Sequence, residues 1–68
     1  MTMNITKRER EVLFLVAYEF STKEIAQRLF VSDETINTHR KNIMIKMGVK
    51  NTAGMVRVAF EQQFLNPT

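Results

Sequence analysis

The 68-residue chain contains no cysteine, so disulfide scaffolds, thiolate zinc sites and cysteine nucleophiles are excluded. Its one histidine, His39, argues against a histidine-rich metal site or a histidine-based catalytic pair. With two glycines and one proline, the chain lacks glycine-rich loops that cradle phosphates. The sequence therefore predicts no metal and no cofactor. An enzyme is the least favoured class, because no nucleophile–base pair is available.

Long hydrophobic runs are also missing. The longest apolar run covers residues 12–18, far short of the roughly 18 consecutive apolar residues that a membrane span needs. It is also too short for a typical signal-peptide core, and it follows a mixed-charge patch. The sequence predicts a cytoplasmic protein that does not engage a membrane.

The composition that remains is that of one small, slightly basic domain over residues 1–68, with its ordered part at about residues 4–65. Apolar residues make up 44% of the chain, which is enough for a small core. Domains of this size are marginally stable, and many are completed by a ligand or a partner. The net charge of +3 points only weakly to a polyanion until the positions of the charges are known.

Start and stop signals predict an all-α chain of four helices. Residues 6–9 (TKRE) and 21–24 (STKE) are capping boxes, Ser32 is a good N-cap, and Gly48 is a natural left-handed C-cap. No segment alternates apolar and polar residues over the length of a strand. The expected fold is a four-helix bundle with helices at about residues 7–19, 22–29, 33–47 and 52–64.

The second and third helices are joined by only about three residues, a spacing that matches helix-turn-helix geometry. A wheel of helix 3 divides its residues between two sides. The core side holds Ile36, His39, Ile43 and Met47, and the outer side holds Glu34, Asn37, Thr38, Lys41 and Ile45. A buried, hydrogen-bonded histidine bridging to backbone near helix 1 or 2 is the expected role of His39.

The outer side of helix 3 has the chemistry of a major-groove surface. Lysine donates to guanine, asparagine pairs with adenine, and the threonine methyl contacts the methyl of thymine. An ordinary solvated polar face is the alternative explanation. Charge placement favours DNA, because no acidic residue lies between Glu34 and Glu61. The basic residues in that interval are Arg40, Lys41, Lys46, Lys50 and Arg57.

Helix 4 carries two candidate faces. Val56, Ala59 and Gln63 are predicted to face inward. A neighbouring stripe with two aromatic rings is either core or, because a small bundle rarely leaves such a patch uncovered, a dimer interface. That stripe consists of Ala53, Arg57, Phe60 and Phe64.

Three motifs in order complete the pattern: TKREREVL at 6–13, STKEIAQRL at 21–29 and SDETINTHRKNIMIKMGV at 32–49. They resemble the LuxR-type (GerE-like) DNA-binding domain of bacterial transcription regulators, whose pattern is TxREREVL, SxKEIAxxL and SxxTVxxHxxxIxxKLGV. The resemblance covers about residues 5–60.

The resemblance implies sequence-specific binding of double-stranded DNA, with helix 3 in the major groove and a homodimer formed through helix 4. It assigns base contacts to Asn37, Thr38 and Lys41. The resemblance also allows two further partners: RNA polymerase, and an N-terminal receiver or ligand-binding domain outside this chain. Phosphate contacts fall on Lys23, Ser32, Thr35 and Arg40.

The sequence departs from the family pattern at a few places. Glu19 stands where a glycine usually ends helix 1, so either the helix ends without a left-handed residue or Glu19 adopts that conformation. Ala53 replaces a frequent capping threonine at the start of helix 4. Two alternatives stay open: a module similar to region 4 of sigma factors, and a helical protein-interaction module that does not bind DNA.

Overall fold

The computed structural model describes residues 4–62 and residue 64. That part of the chain contains four α-helices and no strand, so the predicted all-α architecture is confirmed. The helices are α1 (Lys7–Ala17), α2 (Thr22–Leu29), α3 (Asp33–Met47) and α4 (Thr52–Glu61). None of the described helices is long and apolar enough to cross a membrane. Residue 65, the predicted end of the ordered part, lies outside the described residues.

Local hydrogen bonds explain where the helices begin. Both predicted capping boxes are formed, with the Thr6 and Ser21 hydroxyls accepting the amides of Glu9 and Glu24. In each box the glutamate carboxylate in turn accepts a bond from the backbone amide of the capping residue, at 3.0 Å and 2.8 Å respectively. The Ser32 hydroxyl caps α3, as predicted. Each start therefore satisfies amides that have no partner inside the helix.

Three helices end in the same way, with a residue in the left-handed conformation and a pair of backbone bonds that closes the last turn. At the end of α1 the amide of Phe20 donates to Leu15 and the amide of Glu19 to Val16, both at 3.0 Å. Glu19 has φ 69°, so it adopts the left-handed conformation in place of the expected glycine. Phe30 does the same after α2, and Gly48 after α3.

Two predicted helix ends are wrong by two or three residues. Helix α1 ends at Ala17 rather than at about residue 19, because the left-handed Glu19 turns the backbone away. Helix α4 ends at Glu61 rather than at about residue 64. The amide of Phe64 donates to the carbonyl of Ala59, five residues back, so the chain has already left the helix there.

The core draws on all four helices. Leu13, Ile25, Ile36, Ile43 and Met55 are fully buried and form one cluster with shorter apolar side chains. Two residues on the predicted core side of helix 3, His39 and Met47, are only half-buried.

The inward face of α4 differs from the wheel. Met55, Val58 and Ala59 are the buried residues, whereas Val56 is only half-buried. Gln63 lies outside the described residues. Packing against α1 and α3 selects the face of this short helix, and the wheel had too few polar markers to place it.

Candidate DNA-contacting surface

Helices α2 and α3 form the helix-turn-helix unit. Its tight turn contains the left-handed Phe30, half-buried Val31 and the N-cap Ser32. Ile25 on α2 and Ile36 on α3 are both fully buried in the cluster beneath the turn. The two helices are therefore held by core packing, and the outer side of α3 is presented on a rigid support.

The outer side of α3 is solvent-exposed, as the wheel predicts. Asn37, Thr38 and Lys41 are all exposed, and none of them is bonded to another described side chain. Ile45 continues the same side one turn further and is 68% exposed. The structure thus leaves an amide, a hydroxyl and an ammonium group free to contact an external partner.

Ser32 and Thr35 come together at the start of α3. The Ser32 hydroxyl accepts the Thr35 amide at 3.1 Å, and the two hydroxyl oxygens are 2.9 Å apart. One hydroxyl hydrogen is used in the bond between them, so the other can donate to an anion. Lys23, in the first turn of α2, is exposed. It is the predicted phosphate contact that lies on α2.

Arg40 has a different environment from the other predicted phosphate contacts. It is half-buried on the side of α3 that faces α4, and its Nη2 donates to the Thr52 hydroxyl at 2.7 Å. No carboxylate among the described residues pairs with it. The guanidinium is consequently fixed in place by a neutral group and keeps its charge uncompensated.

The ion pairs narrow the basic region that the sequence indicated. Lys46 is bonded to Glu9 at 2.7 Å, and Arg57 to Glu61 at 3.0 Å. Both charges are therefore balanced inside the domain. Within the described residues, the basic side chains of this region without a carboxylate partner are Arg40, Lys41 and Lys50. The uncompensated basic side chains of this interval therefore lie on the second half of α3 and on the turn that follows it.

The stripe predicted on α4 is only partly exposed. Ala53, Arg57 and Phe60 are exposed, and Phe60 is 76% accessible to solvent. Phe64 does not continue the stripe: it is half-buried against the core, and the Arg10 guanidinium lies 5.4 Å from its ring centre. The chain leaves the helix before Phe64, and the Phe64 ring packs against the core of its own domain. Three of the four residues of the predicted stripe are therefore exposed together, and its role as a dimer interface stays a prediction.

Two residues differ from what the sequence analysis predicted for them. The His39 ring makes no hydrogen bond to any described residue, so the predicted bridge to backbone is not formed there. Thr52 was not predicted as a functional residue, yet it is the partner of Arg40. No local pattern reveals that pair, because the two residues are 12 positions apart on different helices.

Comparison with known proteins agrees with this geometry. Residues 3–59 match the family described as bacterial regulatory proteins, luxR family. Over 57 residues the chain is 44% identical to the transcriptional regulatory protein MctR of Rhizobium johnstonii, covering 84% of this chain and 27% of that protein. Over 61 residues it is 41% identical to the oxygen regulatory protein NreC of Staphylococcus aureus, covering 90% of this chain and 28% of that protein.

Solved structures of VqmA share the fold. One is a Vibrio cholera VqmA–ligand–DNA complex, with a TM-score of 0.89, 26% identity, and coverage of 100% of this chain and 30% of that chain. Another is a phage VqmA–DPO complex, with a TM-score of 0.90, 28% identity, and coverage of 100% and 31%. The chain spans less than a third of the length of each of these proteins. It belongs to the LuxR family of bacterial regulatory proteins and is a LuxR-type helix-turn-helix DNA-binding domain.

Proposed function

We propose that this domain is the part of a cytoplasmic transcription regulator that binds specific sequences of double-stranded DNA, with α3 in the major groove. The observation that carries the proposal is the exposure of Asn37, Thr38 and Lys41 together on the outer side of one rigidly packed helix. Their amide, methyl and ammonium groups match the donors, acceptors and thymine methyl that base pairs present in the major groove.

Phosphate contacts would set the position of α3 in the groove. Lys23 at the start of α2 and the free hydroxyl hydrogen of the Ser32–Thr35 pair flank the first turn of α3. Arg40, next to Lys41, and Lys50, in the turn after α3, add two more positive charges to this surface. Such contacts supply affinity for any duplex, and the base contacts on α3 supply the preference among sequences.

A second copy would bind through α4. Ala53, Arg57 and Phe60 follow one another at intervals of four and three residues, so they share one side of the helix. In a two-fold dimer this stripe packs against its own copy, and two α3 helices then meet successive major grooves. The exposed area is small, so DNA would be needed to hold the pair together.

A fluorescence-anisotropy titration tests DNA binding directly. We expect affinity for a labelled random duplex to fall steeply between about 50 and 200 mM salt, because bound counterions are released. In-vitro selection should then yield a palindromic consensus that binds at least about 10³-fold more tightly than random duplex. Lys7→Ala, which removes a charge from α1, serves as the control and should have little effect. Absence of binding at low salt, or affinity that does not respond to salt, would contradict the proposal.

A further inference from the structure

Arg40 and Thr52 connect the middle of α3 to the first residue of α4. The Nη2 of Arg40 donates to the Thr52 hydroxyl at 2.7 Å, a short distance typical of a hydrogen bond with a charged donor. Arg40 lies one turn after Asn37, and residues three apart are neighbours on a helix surface. The residue that carries the bonded guanidinium is therefore a neighbour of Asn37 on the surface of α3.

The Thr52 hydroxyl has no part in starting its own helix. That role belongs to Asn51, whose Oδ1 accepts the Gly54 amide at 2.9 Å. Among the described residues, the bond from Arg40 is the one hydrogen bond made to the Thr52 side chain. The Thr52 hydroxyl therefore orients the Arg40 side chain and does not cap α4.

A guanidinium carries five N–H donors in a planar fork, and this bond uses one of them. No other described residue accepts a bond from Arg40. A free arginine side chain loses considerable rotamer freedom when it binds, and prior fixation lowers that loss. The structure thus presents an arginine that is already oriented, with most of its donors unused and no carboxylate to neutralise it.

We infer that Thr52 is a positioning residue for DNA binding: its hydroxyl holds the Arg40 guanidinium so that the remaining N–H groups meet a phosphate of the duplex. This inference rests on the proposed function and adds a residue outside the helix-turn-helix unit to the DNA contact.

A double-mutant cycle on DNA affinity tests the inference. Thr52→Val keeps the size of the side chain and removes the hydroxyl; we expect affinity for specific and random duplexes alike to fall by about 2- to 10-fold. Thr52→Ser keeps the hydroxyl and should stay within about 2-fold of the parent chain. Arg40→Gln should weaken binding further and reduce the salt slope by about one unit. Adding Thr52→Val to Arg40→Gln should then cause no additional loss.

The outcomes separate this inference from the proposed function. If the parent chain binds no duplex, the proposed function falls and the inference with it. If the parent chain binds but Thr52→Val matches it, or if Thr52→Val weakens the Arg40→Gln variant equally, the inference alone is overturned. Thermal unfolding by circular dichroism confirms that each variant is folded. Thr52→Ala serves as a second variant with the same expected loss if Thr52→Val does not fold.

Discussion

The Lys46 ammonium near the end of α3 contacts the Glu9 carboxylate in the first turn of α1 at 2.7 Å, across 37 positions of sequence. It also donates to the Asn4 carbonyl at 2.8 Å, so one side chain ties the N-terminal segment, α1 and α3 together. Glu9 is the one buried charged residue among those described, with 5% of its surface exposed. This ion pair gives Lys46 a structural role, although Lys46 belongs to the basic interval that the sequence analysis associated with DNA binding.

Removing the ammonium should destabilise the domain markedly. In Lys46→Met the nearly buried Glu9 carboxylate loses its charged partner while keeping its burial, and we expect a loss of about 2 kcal/mol in the free energy of unfolding. Arg8→Met is the matched control, because Arg8 and Glu11 form an exposed pair at 3.3 Å. Exposed pairs contribute less than about 1 kcal/mol. Urea unfolding measures both variants, and equal losses would contradict the structural role of Lys46.

The same carboxylate should make the domain sensitive to acid. Burial raises the pKa of Glu9, but the bonds from Lys46 and Thr6 outweigh that effect and hold the pKa below its usual 4.5. Because the pKa is lower in the folded state, Glu9 adds stability above about pH 4.5, and this stability is lost as the pH falls through the folded pKa. The free energy of unfolding, measured from pH 7 to pH 3, should fall less steeply for Glu9→Gln. An unchanged slope would contradict this assignment.

Glycine at position 19 should stabilise the domain. Glu19 holds φ at 69°, a conformation that is unfavourable for any residue with a Cβ. We expect Glu19→Gly to add about 0.5–1 kcal/mol, an increase of roughly 2–8 °C in the melting temperature. Gln27→Gly, at an exposed position inside α2, should instead cost about 1 kcal/mol. A lower melting temperature for Glu19→Gly would show that its side chain matters more than the backbone strain.

Lys41 and Lys23 should affect DNA binding in different ways. Lys41→Ala removes a proposed base contact from α3, so the specific site should lose about 1–3 kcal/mol of preference over random duplex. Lys23→Ala removes a proposed phosphate contact, so all duplexes should lose affinity alike and the salt slope should fall by about one unit. Anisotropy titrations with the selected site and a scrambled duplex measure both effects. The division between base and phosphate contacts fails if both variants lose the same preference.

Phe60→Glu should disrupt pairing of two copies on DNA. A charge in place of the one exposed aromatic ring of the α4 stripe would face its own copy in a two-fold dimer, so cooperative binding to half-sites about 10 bp apart should weaken. Binding to a single half-site should change only slightly. Tyr18→Glu is the control, because Tyr18 is an exposed aromatic residue that directly follows α1, away from the α4 stripe in sequence. Cooperativity that survives Phe60→Glu, or that is lost equally in Tyr18→Glu, would place the interface elsewhere.

The two capping boxes show why much of the fold is predictable from the sequence. Thr6 bonds to Glu9, and Ser21 to Glu24, each across three residues, so a short motif contains the whole interaction. The same holds for the outer side of α3, since helical periodicity alone separates Asn37 from the core. The assignment of Asn37, Thr38 and Lys41 to base contacts stays a prediction, because exposure does not by itself identify a partner.

Other features depend on residues that are distant in sequence. The helix starts, the all-α class and the exposed polar side of α3 can be predicted from sequence patterns, because these features depend on contacts within one or two helical turns. The contacts of Lys46 with Glu9 and of Arg40 with Thr52, and the packing of Phe64 on its own core, become visible only in the folded domain. These contacts arise when four helices pack against one another, and no periodicity within a single helix encodes which side chains then come within reach.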